Sequence, residues 1–389
     1  MSKDPGTITE RIIPLRHAPG APIFLLPLAL ALLPLCAASS ARMDPGQLQA
    51  ALVRSATEGQ ELIGSGCARV KCPSAAEFLR DFVLPNKPCV ITGLMDDWPA
   101  RHCWSPEYLC TALGEKSVSI NVTPNGRGDA VTSDGYFAMP EERTMTFAEF
   151  VATLRDKSTD EVCYLSHQND NLRTQLGDAR AGSSLAQDVP ASIPFVDEAL
   201  GHPPDAVGSA APARVCFPKV ALPSLLAPDL APHLSSPQPN LMPTPPRPGR
   251  LPPAMTPLCQ VNLWFGDERA VTTLHKDHYE NMYAVVSGRK EFTLYPPCVL
   301  PLLYPRSYPA KAYQKVEDRW RLVESKHEEP GSLRTWISVD PEQPDYDRYP
   351  LFRHARATRV VVEAGEVLYL PVPRSAPSLV PLPRVTPSL

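Results

Sequence analysis

The 389-residue chain has ten cysteines but no CxxC pair and no close-set cysteine framework. That excludes the usual structural zinc patterns and a small disulfide scaffold, and it favours free thiols in a reducing compartment. A basic footprint is also missing. Thirty-eight Lys and Arg against 42 Asp and Glu leave a net charge of −4, so direct nucleic-acid binding is not expected. The longest apolar run, Pro22 to Ala38, is short and broken by proline, so no membrane span is expected. No serine or cysteine stands in a recognisable nucleophile-and-base pattern. No histidine occurs after His354.

What is present in excess is proline: 47 residues, unevenly spread. With 43% hydrophobic and 21% charged residues the rest reads as a soluble globular protein, either two average domains or one large β domain with additions. Residues 1–42 read as a separate extension. A basic start, an apolar middle and small residues near Ala38 have the layout of a secretory signal. The alternative, favoured by the intracellular look of the remainder, is upstream sequence with the functional start at Met43.

Residues 43–207 alternate short helices and strands. Ser74 to Phe82 has Ala75, Phe78, Leu79 and Phe82 on one helical face. Pro88 to Thr92 reads as a buried strand, Ser105 to Leu113 as a helix, and Val118 to Val122 as a half-buried strand. Thr146 and Glu149 form a capping box before FAEFVATL, and VCYL at 162–165 is a further strand. Residues 208–260 hold 14 prolines, a density at which no helix or interior strand is expected. This insert is read as disordered or extended. It is either a docking segment for SH3-type domains through TPPRPGRLPP or a non-native insertion, the reading favoured here. Residues 261–371 are strand-rich, with strands expected at 261–265, 281–287, 291–295, 359–363 and 366–370, and a tight turn at Ser287-Gly288. Short strands joined by turns suggest a sandwich or a closed barrel. The tail, 372–389, is again proline-rich and is not expected to continue the sheet.

The chemistry concentrates in VTTLHKDHYENMYAVVSGRKEFTL, residues 271–294. His275 and Asp277 are two apart after β-type sequence, and in a strand such residues share a face. An imidazole and a carboxylate can then converge on one metal ion. Two histidines and a carboxylate make the triad that holds non-haem Fe(II), and this segment offers two of those three ligands. Lys290 lies in an apolar strand, where an inward cation is costly unless an anion meets it. Thr272, Asn281 and Tyr283 add hydroxyl and amide groups spaced to face the same cavity. A small dicarboxylate such as 2-oxoglutarate fits that set. The opposing possibilities are an ordinary half-buried histidine, a lysine turned to solvent and a tyrosine packed in the core.

The string TTLHKDHYENMYAVVSGRKEFTLYPP, followed later by AGEVLYLP, resembles the JmjC-domain oxygenases. The upstream pieces FVLPNKPCVITGLMDDWPA and SVSINVTPNGRGDAV fit the same family, and the resemblance covers roughly residues 70–207 and 261–371. It implies a mainly β fold with surrounding helices, a cupin-like double-stranded β-helix. It implies Fe(II) as cofactor and 2-oxoglutarate as cosubstrate, with His275 and Asp277 as iron ligands. Lys290 would pair with the far carboxylate of 2-oxoglutarate, and Thr272, Asn281, Tyr283 and Tyr164 would line its pocket. The implied activity is hydroxylation of a lysine-containing protein, a GTPase among the candidates, in the cytoplasm or nucleus; a peptidase activity has also been suggested for relatives. Were residues 1–42 a signal, the location would instead be the secretory pathway.

The chain departs from the family after Pro371. The strand GEVLYLP is expected to lead into a turn bearing the distal iron-binding histidine, and here VPRSAPSLVPLPRVTPSL follows. His354 precedes the strand 359–363, and His278 is expected to face the other side of its sheet, so neither replaces that ligand. The expectation is a C-terminally truncated barrel with impaired chemistry, lacking the helices through which intact members dimerise. The alternative class is a non-catalytic variant that acts at most as a binding module.

Overall fold

The computed structural model describes residues 44–168, 170–177, 185–190, 192–200, 215–223, 260–277, 279–372 and 384–386, with backbone only for 215–223 and 384–386. The signal-like segment, the TPPRPGRLPP stretch and His278 lie outside the described residues. The chain divides into two units, Met1–Leu48 and Gln49–Leu389. Of the first, only 44–48 are described, Asp44 and the opening of the helix Pro45–Ile63. The second holds every strand and both candidate metal ligands.

Two β-sheets carry the fold. The larger has nine strands in the spatial order Ala68–Lys71, Cys89–Thr92, Val367–Leu370, Glu280–Ala284, Val215–Pro223, Gln260–Gly266, Val162–Leu165, Ser117–Thr123 and Glu141–Thr146. The smaller orders Thr358–Glu363, Arg289–Leu294, Arg384–Thr386, Val271–Thr272 and Arg127–Gly128. This is a double-stranded β-helix, with helices packed on the outer face of the larger sheet. Alternation explains the layering. Met282 and Ala284 belong to the cluster shared with the helices, which includes Phe78, Leu109, Phe150 and Tyr369. Their neighbours Tyr283 and Val285 point the other way, into a second cluster with Phe292, Leu294, Val362 and Leu368. A strand covered on both faces reads as a continuous apolar run, and all five residues of Glu280–Ala284 are buried.

Local signals act as the sequence predicts at several element ends. Thr146 caps Phe147–Arg155 through a capping box with Glu149, and Ser105 caps Pro106–Leu113. The helix expected over Ser74–Phe82 has the same device at Ser74 and Glu77, but only Ala75–Phe78 is α-helical; Leu79–Val83 widens into a π turn. The expected strands at 261–265, 281–287, 291–295, 359–363 and 366–370 appear with ends shifted by one to three residues.

Two expectations about proline need correction. The insert 208–260 contributes an interior strand, Val215–Pro223, parallel to both Gln260–Gly266 and Glu280–Ala284. The register steps from Val261↔Phe217 to Asn262↔Lys219, so Pro218 falls in the irregularity, where a missing N–H costs no ladder bond. Likewise the tail does reach the sheet. Arg384–Thr386, three residues between Pro383 and Pro387, pairs with Arg289–Leu294 and with Val271. A third sheet was not foreseen. Its long strand Pro305–Val316 pairs with Arg319–Val323, Leu333–Ile337 and Phe137–Met139.

Phe78 joins the helices to the barrel. It is fully buried, with ring centroids 4.7 Å from Tyr369 and 5.2 Å from Phe195. Phe78→Ala is expected to cost about 3–5 kcal/mol, because the helix pinned by strand Val367–Leu370 cannot collapse into the hole. Urea denaturation followed by circular dichroism measures it.

Candidate active site

Val271–Thr272 is a two-residue strand, and the chain leaves it before reaching the candidate ligands. Convergence of His275 and Asp277 therefore comes from hydrogen bonds rather than from strand pleat. The His275 Nδ1 lies 2.7 Å from the carbonyl oxygen of Thr273. A carbonyl only accepts, so Nδ1 donates and Nε2 is the nitrogen left to face the carboxylate. Asn281 Nδ2 donates to Asp277 Oδ2 at 2.8 Å, which leaves Oδ1 turned to the imidazole. Nε2 and Oδ1 are 3.6 Å apart. Trp336 stacks on the imidazole, with ring planes within 9° and centroids 6.1 Å apart, and its Nε1 donates to Thr273 Oγ1 at 3.1 Å.

Lys290 shares its strand face with Phe292 and Leu294, so it points into the barrel and not to solvent. It is 1% exposed. Its Nζ donates to Tyr164 Oη at 2.9 Å and lies 5.3 and 5.7 Å from the ring centroids of Tyr164 and Tyr283. Burial pushes both phenols well above the usual range, so both stay protonated. Tyr283 Oη is buried and has no hydrogen-bond partner. Tyr164 reaches this position because it lies against Gly266, where a Cβ would come within 2.4 Å of the ring. That register position, Gly266↔Tyr164, admits only glycine.

A cavity of about 270 Å³ opens onto the pair, with Thr272, His275, Asp277, Tyr164, Trp264 and Trp336 in its wall. Of the residues singled out in the sequence, Thr272 and Tyr164 line this cavity directly. Lys290 lies behind Tyr164, to which it donates, and Tyr283 packs beside Lys290. Asn281 is buried and anchors the Asp277 carboxylate. Thr273 and Trp336, which fix the imidazole, were missed because nothing local in the sequence marks them.

The donor set suits a metal as far as it goes. A neutral imidazole with its other nitrogen locked, beside a carboxylate with one oxygen anchored, is how ligands for Fe(II) are prepared. The orphaned Tyr283 hydroxyl beside a buried ammonium likewise suits a carboxylate ligand. The triad is incomplete, since among the described residues no group of three His, Cys, Asp or Glu is placed to hold a metal ion. Strand Val367–Leu370 pairs Leu370 with Asn281, and Val372 N donates to the buried Glu280 carboxylate at 3.0 Å. The chain thus passes close to Asp277 as it leaves this strand, but no histidine follows.

The cupin-like domain family matches residues 75–372. The human bifunctional peptidase and (3S)-lysyl hydroxylase JMJD7 is 34% identical over 303 residues, 77% of this chain and 76% of that protein. This chain belongs to the cupin-like JmjC family. The Arabidopsis thaliana lysine-specific demethylase JMJ32 is 34% identical over 312 residues, 77% of this chain and 72% of that protein. The Dictyostelium discoideum JmjC domain-containing protein E is 29% identical over 332 residues, 80% and 77% of the two chains. JmjC proteins are 2-oxoglutarate oxygenases that generally use Fe(II).

Removing the Asn281 amide frees Asp277 to turn away from His275. Asn281→Leu is expected to weaken Mn(II) binding, as a stand-in for Fe(II), by roughly 10–100-fold. Calorimetric titration of the purified chain reads this directly, and unchanged affinity would mean that Asp277 is not a ligand.

Proposed function

We propose that the chain is an Fe(II)- and 2-oxoglutarate-dependent oxygenase by design, directed at lysine in a protein, and that this form turns over poorly. The observation that carries the reading is the buried Lys290 ammonium donating to Tyr164, whose side chain lines the same cavity as His275 and Asp277. Relatives described as a lysyl hydroxylase and as a lysine-specific demethylase support lysine as the target.

When bound, Fe(II) with 2-oxoglutarate supplies oxidation of an unactivated C–H bond by O₂, with loss of CO₂ and succinate. The chain's own groups do the rest. His275 Nε2 and Asp277 Oδ1, 3.6 Å apart, would hold the metal. Lys290, Tyr164 and Tyr283 would hold the far carboxylate of the cosubstrate. Thr272 faces the same space. Trp264 and Trp336 wall the cavity and limit water. Among the described residues no third ligand is placed beside the pair, and two protein ligands would hold Fe(II), low in the divalent affinity order, only weakly.

Nothing in the thiols favours a peptidase mechanism. Burial pushes Cys67 up to about 11 and raises Cys163 and Cys298 as well, which disfavours the thiolate. The seven described cysteines are free, and among the described residues no helix is long and apolar enough to cross a membrane. On the free thiols we assign the protein to the cytoplasm or nucleus.

Two measurements test the reading. Lys290→Met is expected to weaken 2-oxoglutarate binding roughly ten-fold or more, since a charge-assisted contact is lost. Succinate release, together with a gain of one oxygen atom by a lysine peptide, is expected to stay at background for this chain. It is expected to appear when the residues after Pro371 are replaced by the corresponding segment of the human relative. Robust turnover by the unaltered chain, abolished by His275→Ala, would show that a ligand outside the described residues completes the site. If the chimaera binds neither metal nor 2-oxoglutarate, the binding-module reading replaces this one.

A further inference from the structure

A second cavity, about 370 Å³, adjoins the first and shares Asn121, Asp129, Pro140, Ser166 and Gln168 with it. A side chain entering from the outer cavity reaches His275 and Asp277 only past these residues. Asp129 is the carboxylate common to both. Other acids in the outer wall are engaged: Glu141 pairs with Arg143, Glu324 with Lys311, and Glu142 faces His327 at 3.6 Å. Burial raises the Asp129 carboxyl above its ordinary range; the positive charges that oppose this are His275 first and then Arg334, which pairs with Glu328. Among the described residues no cation lies within ion-pair distance of Asp129.

The backbone at Asp129 is also unusual. Its φ is +52°, a left-handed conformation that is uncommon for a residue other than glycine and clusters at binding sites. It is held by Thr273 Oγ1, which donates to the Asp129 carbonyl. The same Thr273 accepts the His275 proton at its own carbonyl. The Asp129 backbone and the imidazole are therefore both tied to one intervening residue.

We propose that Asp129 is the specificity residue of the site, receiving the cationic end of the substrate side chain, a lysine ammonium or an arginine guanidinium. The proposal rests on the oxygenase reading above and deepens it by assigning the substrate contact to one carboxylate. An unpaired carboxylate at the junction favours a cationic guest and disfavours a neutral one of equal length. Cations arriving through the outer cavity meet Asp129 before the metal pair, and Asn121 and Ser166, bonded to each other at 2.8 Å, form the facing wall.

The test is binding, so it does not depend on turnover. The probes are blocked pentapeptides of glycine around a central lysine, arginine or norleucine. Trp264 and Trp336 report occupancy by fluorescence, since both line the inner cavity. The native chain is expected to prefer a cationic peptide over norleucine by roughly ten-fold or more, and Asp129→Asn is expected to abolish that preference while leaving norleucine binding unchanged. Asparagine tolerates the left-handed backbone, so the variant is expected to keep its fold, checked by its melting curve. Whichever of lysine and arginine binds more tightly names the guest. Equal discrimination by Asp129→Asn, or no preference in the native chain, overturns the proposal. Running Lys290→Met alongside separates the two ideas. Cation preference that depends on Asp129, with 2-oxoglutarate binding indifferent to Lys290, sinks the oxygenase reading and keeps the cation site. The reverse result sinks the cation site alone.

Discussion

A lysine ammonium held between two apolar sheets is the constraint on which the rest of this site depends. Taking such a charge out of water costs several kcal/mol even after relaxation. The faces of Tyr164 and Tyr283 return on the order of 1–2 kcal/mol between them, and the Tyr164 hydroxyl accepts from the ammonium. The fold is arranged so that this is tolerable. Strand alternation turns Lys290 inward with Phe292 and Leu294, Gly266 lets Tyr164 reach the ammonium, and Tyr283 leaves its hydroxyl without a partner. Each of these makes sense if an anion belongs at the inner end of the cavity.

How far the sequence disclosed this depends on the range of the signal. Capping boxes and alternation are local, so the helix starts at Ser105 and Thr146 and the strands around the metal pair were legible. A lone lysine in an apolar strand is also a local anomaly, and it led to the inner end of the cavity. The third sheet was not legible because most of Pro305–Val316 is half-exposed and proline occurs at both 305 and 309, which blurs any period of two. Trp336, which orders His275, lies more than sixty residues from it on that unforeseen sheet. The bond from Asn281 to Asp277 was not legible either, since only side-chain geometry shows it. Proline density misled in the opposite sense. One irregular register position lets Pro218 sit in an interior strand.

The fold also separates what holds it together from what performs chemistry. The strand Val367–Leu370 lies between Cys89–Thr92 and Glu280–Ala284, fully buried, and its Tyr369 hydroxyl donates to Glu280 at 2.7 Å. That packing is complete before the chain departs from the family pattern at Pro371. A barrel can therefore keep its principal core whatever follows Pro371.

Thr273 has a consequence of another kind. One residue holds the Asp129 carbonyl through its hydroxyl, the His275 ring through its carbonyl, and Trp336 through the same hydroxyl. A guest that tugs on Asp129 must also shift the imidazole, and an ion gripped by the imidazole must stiffen Asp129. Such coupling is reciprocal: whatever factor the guest lends to the ion's affinity, the ion lends back to the guest's. On the proposed reading, a weakened hold on the metal would then be felt at the outer cavity, as a looser hold on the guest side chain.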